Sequence, residues 1–250
     1  MRGAAALVAE TPAVGCRGTL MRMVESQEQV ATRSLVDGLT EQALLENLLE
    51  TSKPPLRPGT EKLHYLLAAP FRYPPLRHGS RFGSRFEPGI FYGSHRFETL
   101  AAETAYYRFV FWRGMTTPPP SGRISTEHTA FSVNYATEHG LRLQDPPFAR
   151  HKKSLASPSD YAATQATGAA MRAKDIAAFE YLSARDPKQG LNVGLFTPAA
   201  LKSRKPLRQQ NWLCETNAES VQFRRPHDKL VRTYGRELFL VAGSFPEPAE

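Results

Sequence analysis

From Thr129 onward the chain breaks into short stretches of strand character separated at close intervals by turn residues, and nothing else in it constrains the fold as strongly. Thr129 to Thr137 alternates Phe131, Val133 and Tyr135 with smaller residues, the period-two pattern of a strand with one buried face. Ala177–Ser183, Leu191–Phe196, Gln210–Glu215, Ser220–Arg224 and Glu237–Val241 read as further strands, with Thr216 and Asn217 in a hairpin connection. Helical patterning sits in the N-terminal and central parts. One helix is predicted from Ser34, with Ser34 and Asp37 as caps and Leu44, Leu45, Leu48 and Leu49 on one stripe, until Lys53-Pro54-Pro55 ends it. A short strand over Gly89–Tyr92 leads to a second helix from Ser94, carrying Phe97, Leu100, Ala101 and Thr104 on one face, and a third starts near Ser159. The expected class is α+β: a mixed, mostly antiparallel β-sheet core with flanking helices.

A chain of 250 residues buries roughly 70–75% of its unfolded surface, so its core needs neither disulfides nor a structural metal. No fixed-period repeat is present. Residues 1–20, rich in Ala and Gly, read as a loose lead-in, and residues 21–250 as a single domain. Cys16 and Cys214 stand alone, which points to a reducing compartment. The apolar run Ala4–Ala9 is shorter than a signal-peptide core, and no run reaches the length of a membrane span, so the expected location is the cytoplasm, with no membrane partner. The formal net charge of +8 fits an anionic partner or solubility alone. There is no GxxxxGK[ST], strand-linked GxGxxG, HExxH or GxSxG, which disfavours P-loop, Rossmann, zinc-protease and α/β-hydrolase chemistry. The seven His are scattered, with no pair at ligand spacing, so no metal is expected.

The segment from Phe71 to Phe86 is the least ordinary. Arg72, Arg77, Arg81 and Arg85 occur there with no carboxylate, interleaved with Phe71, Tyr73, Phe82 and Phe86. Guanidinium forks bind phosphate and aromatic rings stack on bases, so the block suits a dinucleotide or a nucleic-acid strand equally, or simply a solvated loop whose Arg stems cover apolar surface. Two residues further along the chain favour the dinucleotide. Tyr92 ends a short strand and Glu103 lies eleven residues on, beside the apolar stripe of the adjoining helix, where it is expected to be half-buried. An acid and an aromatic in one cleft serve cleavage of a glycosidic bond, whose oxocarbenium-like transition state a carboxylate stabilises. Each residue also has a plainer reading: Tyr92 as a core strand residue, Glu103 as the ion-pair partner of a nearby Arg, Ser183 as a turn hydrogen-bonder.

Taken in order, Gly79-Ser80-Arg81-Phe82, Glu87-Pro88-Gly89-Ile90-Phe91-Tyr92, Ala101-Ala102-Glu103 and Tyr181-Leu182-Ser183-Ala184-Arg185-Asp186-Pro187 resemble the RES domain, named for its Arg, Glu and Ser. Phe71-Arg72-Tyr73-Pro74 and Leu191–Pro198 resemble that family too, and the likeness runs from about Met21 to Arg225. RES proteins are toxins of bacterial toxin–antitoxin pairs, neutralised by Xre-type helix-turn-helix antitoxins, with a fold similar to that of ADP-ribosylating toxins; members degrade NAD+, in some cases by phosphorolysis, or transfer ADP-ribose to a protein. The resemblance implies that Arg81 holds the pyrophosphate or ribose of NAD+, Tyr92 stacks in the nicotinamide region, Glu103 is the catalytic carboxylate and Ser183 hydrogen-bonds the substrate. It places Arg72 and Tyr73 as further binding residues of the same pocket, while Arg85 competes with Arg81 for the motif position. NAD+ is then a substrate, with inorganic phosphate as co-substrate, and nucleic acid is reached only through the antitoxin. The rival readings are a mono-ADP-ribosyltransferase with a protein target and a nucleic-acid-binding module built on Arg72–Arg85 and Lys202–Arg208.

Overall fold

The computed structural model describes residues 3–26, 35–226 and 228–248. Within them lies an eight-stranded, mostly antiparallel sheet with six helices, the α+β class expected. The strands are β1 (Val14–Glu25), β2 (Phe91–Ser94), β3 (Ile124–Arg142), β4 (Ala178–Leu182), β5 (Leu191–Leu195), β6 (Arg208–Thr216), β7 (Ser220–Arg224) and β8 (Val231–Gly235). Their spatial order is β1-β2-β5-β4-β3-β6-β7-β8, and β1 also pairs with β3 from Val14 opposite Gly140 to Glu25 opposite His128. Five strands therefore close on themselves, which removes their exposed edges, and β6–β8 extend from the far side of β3. Among these strands only β3 and β4 run parallel.

The inner face of the ring is mostly apolar, carrying Leu20, Phe91, Val133, Tyr135, Val193 and Leu195, with the buried Glu180 accepting from the Tyr135 hydroxyl. On the outer face, helix α4 (Phe97–Arg113) lays Leu100, Ala101, Ala105, Tyr106 and Phe109 against Met23, Trp212, Val221 and Phe223. Its ends follow electrostatics, with Glu98 in the first turn, Arg113 in the last, and the Gly114 N–H closing on the Val110 carbonyl. A third apolar cluster joins α6 (Ala162–Ala173) to Phe82, Phe179 and Tyr181.

Four expectations need correction. Residues 1–20 are not loose: α1 (Ala4–Glu10) buries Ala4, Leu7 and Val8, Lys174 Nζ donates to the carbonyls of Val8, Ala9 and Thr11 at its end, and β1 begins at Val14. The strand over Glu237–Val241 is instead a 3-10 turn, Arg236–Phe239, because Phe239 leaves any ladder to pack on Tyr106, Phe109 and Phe245. The last strand lies earlier, at β8. Ser94 belongs to β2, and its helix starts at Phe97. Helix α2 (Leu39–Ser52) stops at Lys53 as expected, but Gly38 precedes it, Asp37 supplies only a backbone N–H to Glu41, and Leu44, Leu48 and Leu49 of its leucine stripe face solvent while Leu45 is half-buried; the other expected cap, Ser34, lies outside the described residues. Two further helices, α3 (Tyr65–Arg72) and α5 (Lys152–Leu155), complete the set; His64 Nδ1 accepts the Leu66 N–H at the start of α3, and Leu66, Leu67 and Phe71 bury its inner face. Among the described residues no helix is long and apolar enough to cross a membrane.

Candidate active site

A cleft of about 430 Å3 opens where the outer face of β2, β5 and β4 meets α4 and the loop after α3, a volume that suits a small organic ligand. Strand register makes its floor. Tyr92 pairs with Gly194, and Ser94 and Tyr181 both pair with Asn192, so these side chains share one face of the sheet. Gly194 is required there, because a Cβ would run into the Phe179 ring lying across it. Leu100, Glu103, Thr104 and Tyr107 of α4 form one wall, and Tyr73 to Arg81 the other.

Arg81 sits at the tip of a tight turn closed by hydrogen bonds between Ser80 and Gly83, entered through Gly79 at φ +74°, a conformation that favours glycine. The turn is stapled to the floor: the Tyr92 hydroxyl accepts the Phe82 N–H at 3.1 Å and shares a 3.0 Å hydrogen bond with Ser80 Oγ. Burial pushes the Tyr92 phenol up to about 12, so it stays protonated. The Arg81 side chain is 6% exposed, lies 4.7 Å from the centroid of the Tyr161 ring and donates to the Ser157 carbonyl at 2.7 Å. Burial opposes its charge, but Tyr161, Glu103, Tyr181 and Tyr107 together offset this and hold its pKa above the ordinary arginine value.

Glu103 is held from behind. Ser183 Oγ donates to its Oε1 at 2.6 Å and Asn192 Nδ2 donates to the same oxygen at 2.8 Å, while Ser94 Oγ donates to Asn192 Oδ1 at 2.6 Å and fixes the amide. Among the described residues no hydrogen bond reaches Oε2. Ser183 Oγ also accepts the N–H groups of Arg185 at 3.1 Å and Asp186 at 2.9 Å. One donor and two lone pairs are all a hydroxyl has, and Ser183 is fully buried. Its hydroxyl is therefore committed to Glu103 and to these two N–H groups, whereas the resemblance implies a hydrogen bond to substrate.

Of the residues singled out in the sequence, Arg81, Tyr92 and Glu103 line the cleft and Tyr73 stands at its rim, 42% exposed. Arg72 does not face it: its Nη1 meets Glu50 at 2.6 Å and its Nε donates to the Pro54 carbonyl, tying α3 to the end of α2. Arg85 is exposed over Phe86, so Arg81 alone of the two occupies the cleft. Arg72 to Arg85 consequently forms no continuous basic stripe. Sequence reading missed Arg22, which reaches the cleft from β1 and donates to the Tyr92 carbonyl at 2.8 Å, and also missed Asn192 and Tyr181. A polar Asn in an otherwise apolar strand was the one available signal for the second; Arg22 lay in a segment without clear periodicity. Burial lowers Arg22 to about 10, still protonated at neutral pH. The cleft thus carries two guanidinium groups and one carboxylate.

No curated protein matches the chain significantly. Among solved structures, a chain of the M. tuberculosis MbcT–MbcA toxin–antitoxin complex superposes with a TM-score of 0.48 at 10% identity, covering 84% of this chain and 92% of that one. The family model described as the RES domain matches residues 54–217, which include the whole cleft except Arg22 and Met23 and well over half of the sequence, and the chain belongs to the RES domain family.

Proposed function

We propose that this protein is the toxin of a bacterial toxin–antitoxin pair, acting in the cytoplasm to deplete NAD+ by phosphorolysis of its nicotinamide–ribose bond. The observation that carries the reading is the cleft's charge arrangement: a carboxylate clamped through one oxygen in a cleft that two arginines, the buried Arg81 and the half-buried Arg22, also line. Cleavage releases nicotinamide as a neutral base and leaves positive charge on the ribose C1 and ring oxygen. Glu103 stabilises that charge without reorganising, since Ser183 and Asn192 fix it beforehand. Arg81 binds the pyrophosphate, its plane set by Tyr161 and Ser157. The Tyr92 hydroxyl is spent on the Arg81 turn, so its ring is what it offers the nicotinamide. Inorganic phosphate, drawn by the net positive cleft, bonds to C1 through one oxygen, giving ADP-ribose-1″-phosphate and nicotinamide.

The test is NAD+ loss by the purified protein with and without inorganic phosphate, products identified by phosphorus NMR, with Glu103→Gln as control. Gln keeps an oxygen for Ser183 and Asn192 to bond, so the fold should survive while turnover falls by orders of magnitude. Phosphate-dependent loss is expected. Phosphate-independent loss would mean hydrolysis, and no loss in either buffer would point to transfer of ADP-ribose to a protein. The antitoxin partner, of the Xre type, is the one that family membership implies; co-expression of an adjacent small DNA-binding protein should relieve growth arrest.

A further inference from the structure

We propose that α2 is a dimerisation element that pairs with α2 of a second copy of the chain, antiparallel across a two-fold axis. The helix is built inside out. Its one buried side chain is the polar Gln42, which donates to Glu46 at 2.9 Å, and its Glu50 is bound to the body through Arg72. Most of its leucines point away: Leu39 is 77% exposed, Leu44 60%, Leu48 58% and Leu49 40%, with Leu45 half-buried between them. At about 100° per residue, positions 44, 45, 48 and 49 fall within one arc of roughly 140°. A helix of this length is marginal on its own in water and draws its stability from burying such an arc. Contiguous exposed apolar surface of this kind marks an interaction site.

The order of the residues identifies the occupant. Leu44-Leu45-Glu46-Asn47-Leu48-Leu49 places its leucines identically read in either direction. A two-fold axis between Glu46 and Asn47 therefore sets Leu44 against Leu49 and Leu45 against Leu48 of the second copy, with every leucine meeting a leucine, as an isologous interface requires. The same axis brings Glu41, which lies within the arc, level with Ser52 and beside the cationic Lys53 of the other helix. A parallel pair would instead oppose Glu41 to Glu41. The Arg72–Glu50 ion pair and the bond from Arg72 to the Pro54 carbonyl hold α2 to the body, so pairing would fix the two molecules relative to each other.

Two measurements on the full chain test this. Light scattering after size exclusion should give the mass of two copies, falling by half in Leu44→Glu/Leu48→Glu with no change in the circular dichroism spectrum beyond the helix content of the 14 residues of α2. The substitution Leu238→Glu, at another exposed leucine, should leave the mass at two copies. Orientation is read by oxidative cross-linking of Leu44→Cys and Leu49→Cys proteins; Cys16 and Cys214 are buried and do not compete. A mixture should cross-link and each variant alone should not. A one-copy mass at every concentration, a two-copy mass that survives Leu44→Glu/Leu48→Glu, or efficient cross-linking of either variant with itself would overturn the proposal.

Discussion

Ser183→Ala separates two roles that the same residue could play, support of Glu103 or contact with substrate. The hydroxyl is fully buried and makes three hydrogen bonds: one to Glu103 Oε1, and one each from the N–H groups of Arg185 and Asp186. Removing it vacates roughly one oxygen atom of space, too little for a replacement water. Two buried N–H groups are then left unpaired at about 1 kcal/mol each or more, and a hydrogen bond to a charged group worth about 1.5 kcal/mol is lost. The total cost is about 3.5 kcal/mol or more. In a chain of this size that is a fall of roughly 7–14 °C in the unfolding midpoint, measurable by scanning calorimetry. Glu103 would keep only its Asn192 anchor, so kcat for NAD+ loss should drop about tenfold or more, while KM stays within about twofold because the hydroxyl does not reach the cleft. An unchanged midpoint combined with a large rise in KM would refute the reasoning and return Ser183 to the substrate.

Three further outcomes are expected. Arg81→Lys keeps the charge but loses the planar stack on Tyr161, so NAD+ affinity measured by calorimetry should fall about tenfold; unchanged affinity would shift the anion site to Arg22. Gly168→Ala would drive a Cβ into the Phe82 carbonyl oxygen, and such overpacking should cost about 1–3 kcal/mol in urea unfolding; wild-type stability would show that α6 can move off the Arg81 turn. Burial, then Arg108, lowers His128 from 6.5 to about 4. The unfolded chain therefore takes up a proton that the folded chain refuses as pH falls from 6.5 toward 4. That part of the stability is present above pH 6.5 and declines through the window, by about 2 kcal/mol at pH 5. His128→Gln should flatten the curve there, and an unaltered slope would remove His128 from the balance.

What was legible in the sequence was whatever local pattern decides. Phe131, Val133 and Tyr135 alternate because one face of β3 fills the ring, and Ser220–Arg224 and the Thr216-Asn217 turn are fixed by neighbours in the chain. The losses came where partners lie far away. Val14–Glu25 holds Gly15, Gly18 and two arginines and shows no clean alternation, yet it spans the ring because β3 supplies a partner along its whole length. The leucines of α2 have the spacing of a core helix but do not enter this core. At the site, Arg81 and Glu103 could be picked out by type and spacing. The choice of Arg81 over Arg85 depended on a turn whose staple, Tyr92, lies ten residues on from Phe82, and Asn192 came to Glu103 only through the β4–β5 register.

The same long-range contacts explain why Glu103 can be held so firmly on a helix that packs by an apolar face. Asp186, nearly buried, accepts from Thr99 Oγ1 at 2.8 Å and from the N–H groups of Lys188 and Gly190, so the loop between β4 and β5 is folded around its carboxylate and bonded to the first turn of α4. One turn further along α4, Glu103 meets Ser183 and Asn192 at the two ends of that loop. Thr99 and Glu103 are four residues apart and therefore face the same way, so three hydrogen bonds lock one stripe of the helix to one loop of the sheet. Each contributes little net stability, since both partners give up water to form it. Their effect is on geometry: α4 cannot slide along the sheet without leaving buried polar groups unpaired, and the carboxylate keeps its place in the cleft before any ligand arrives.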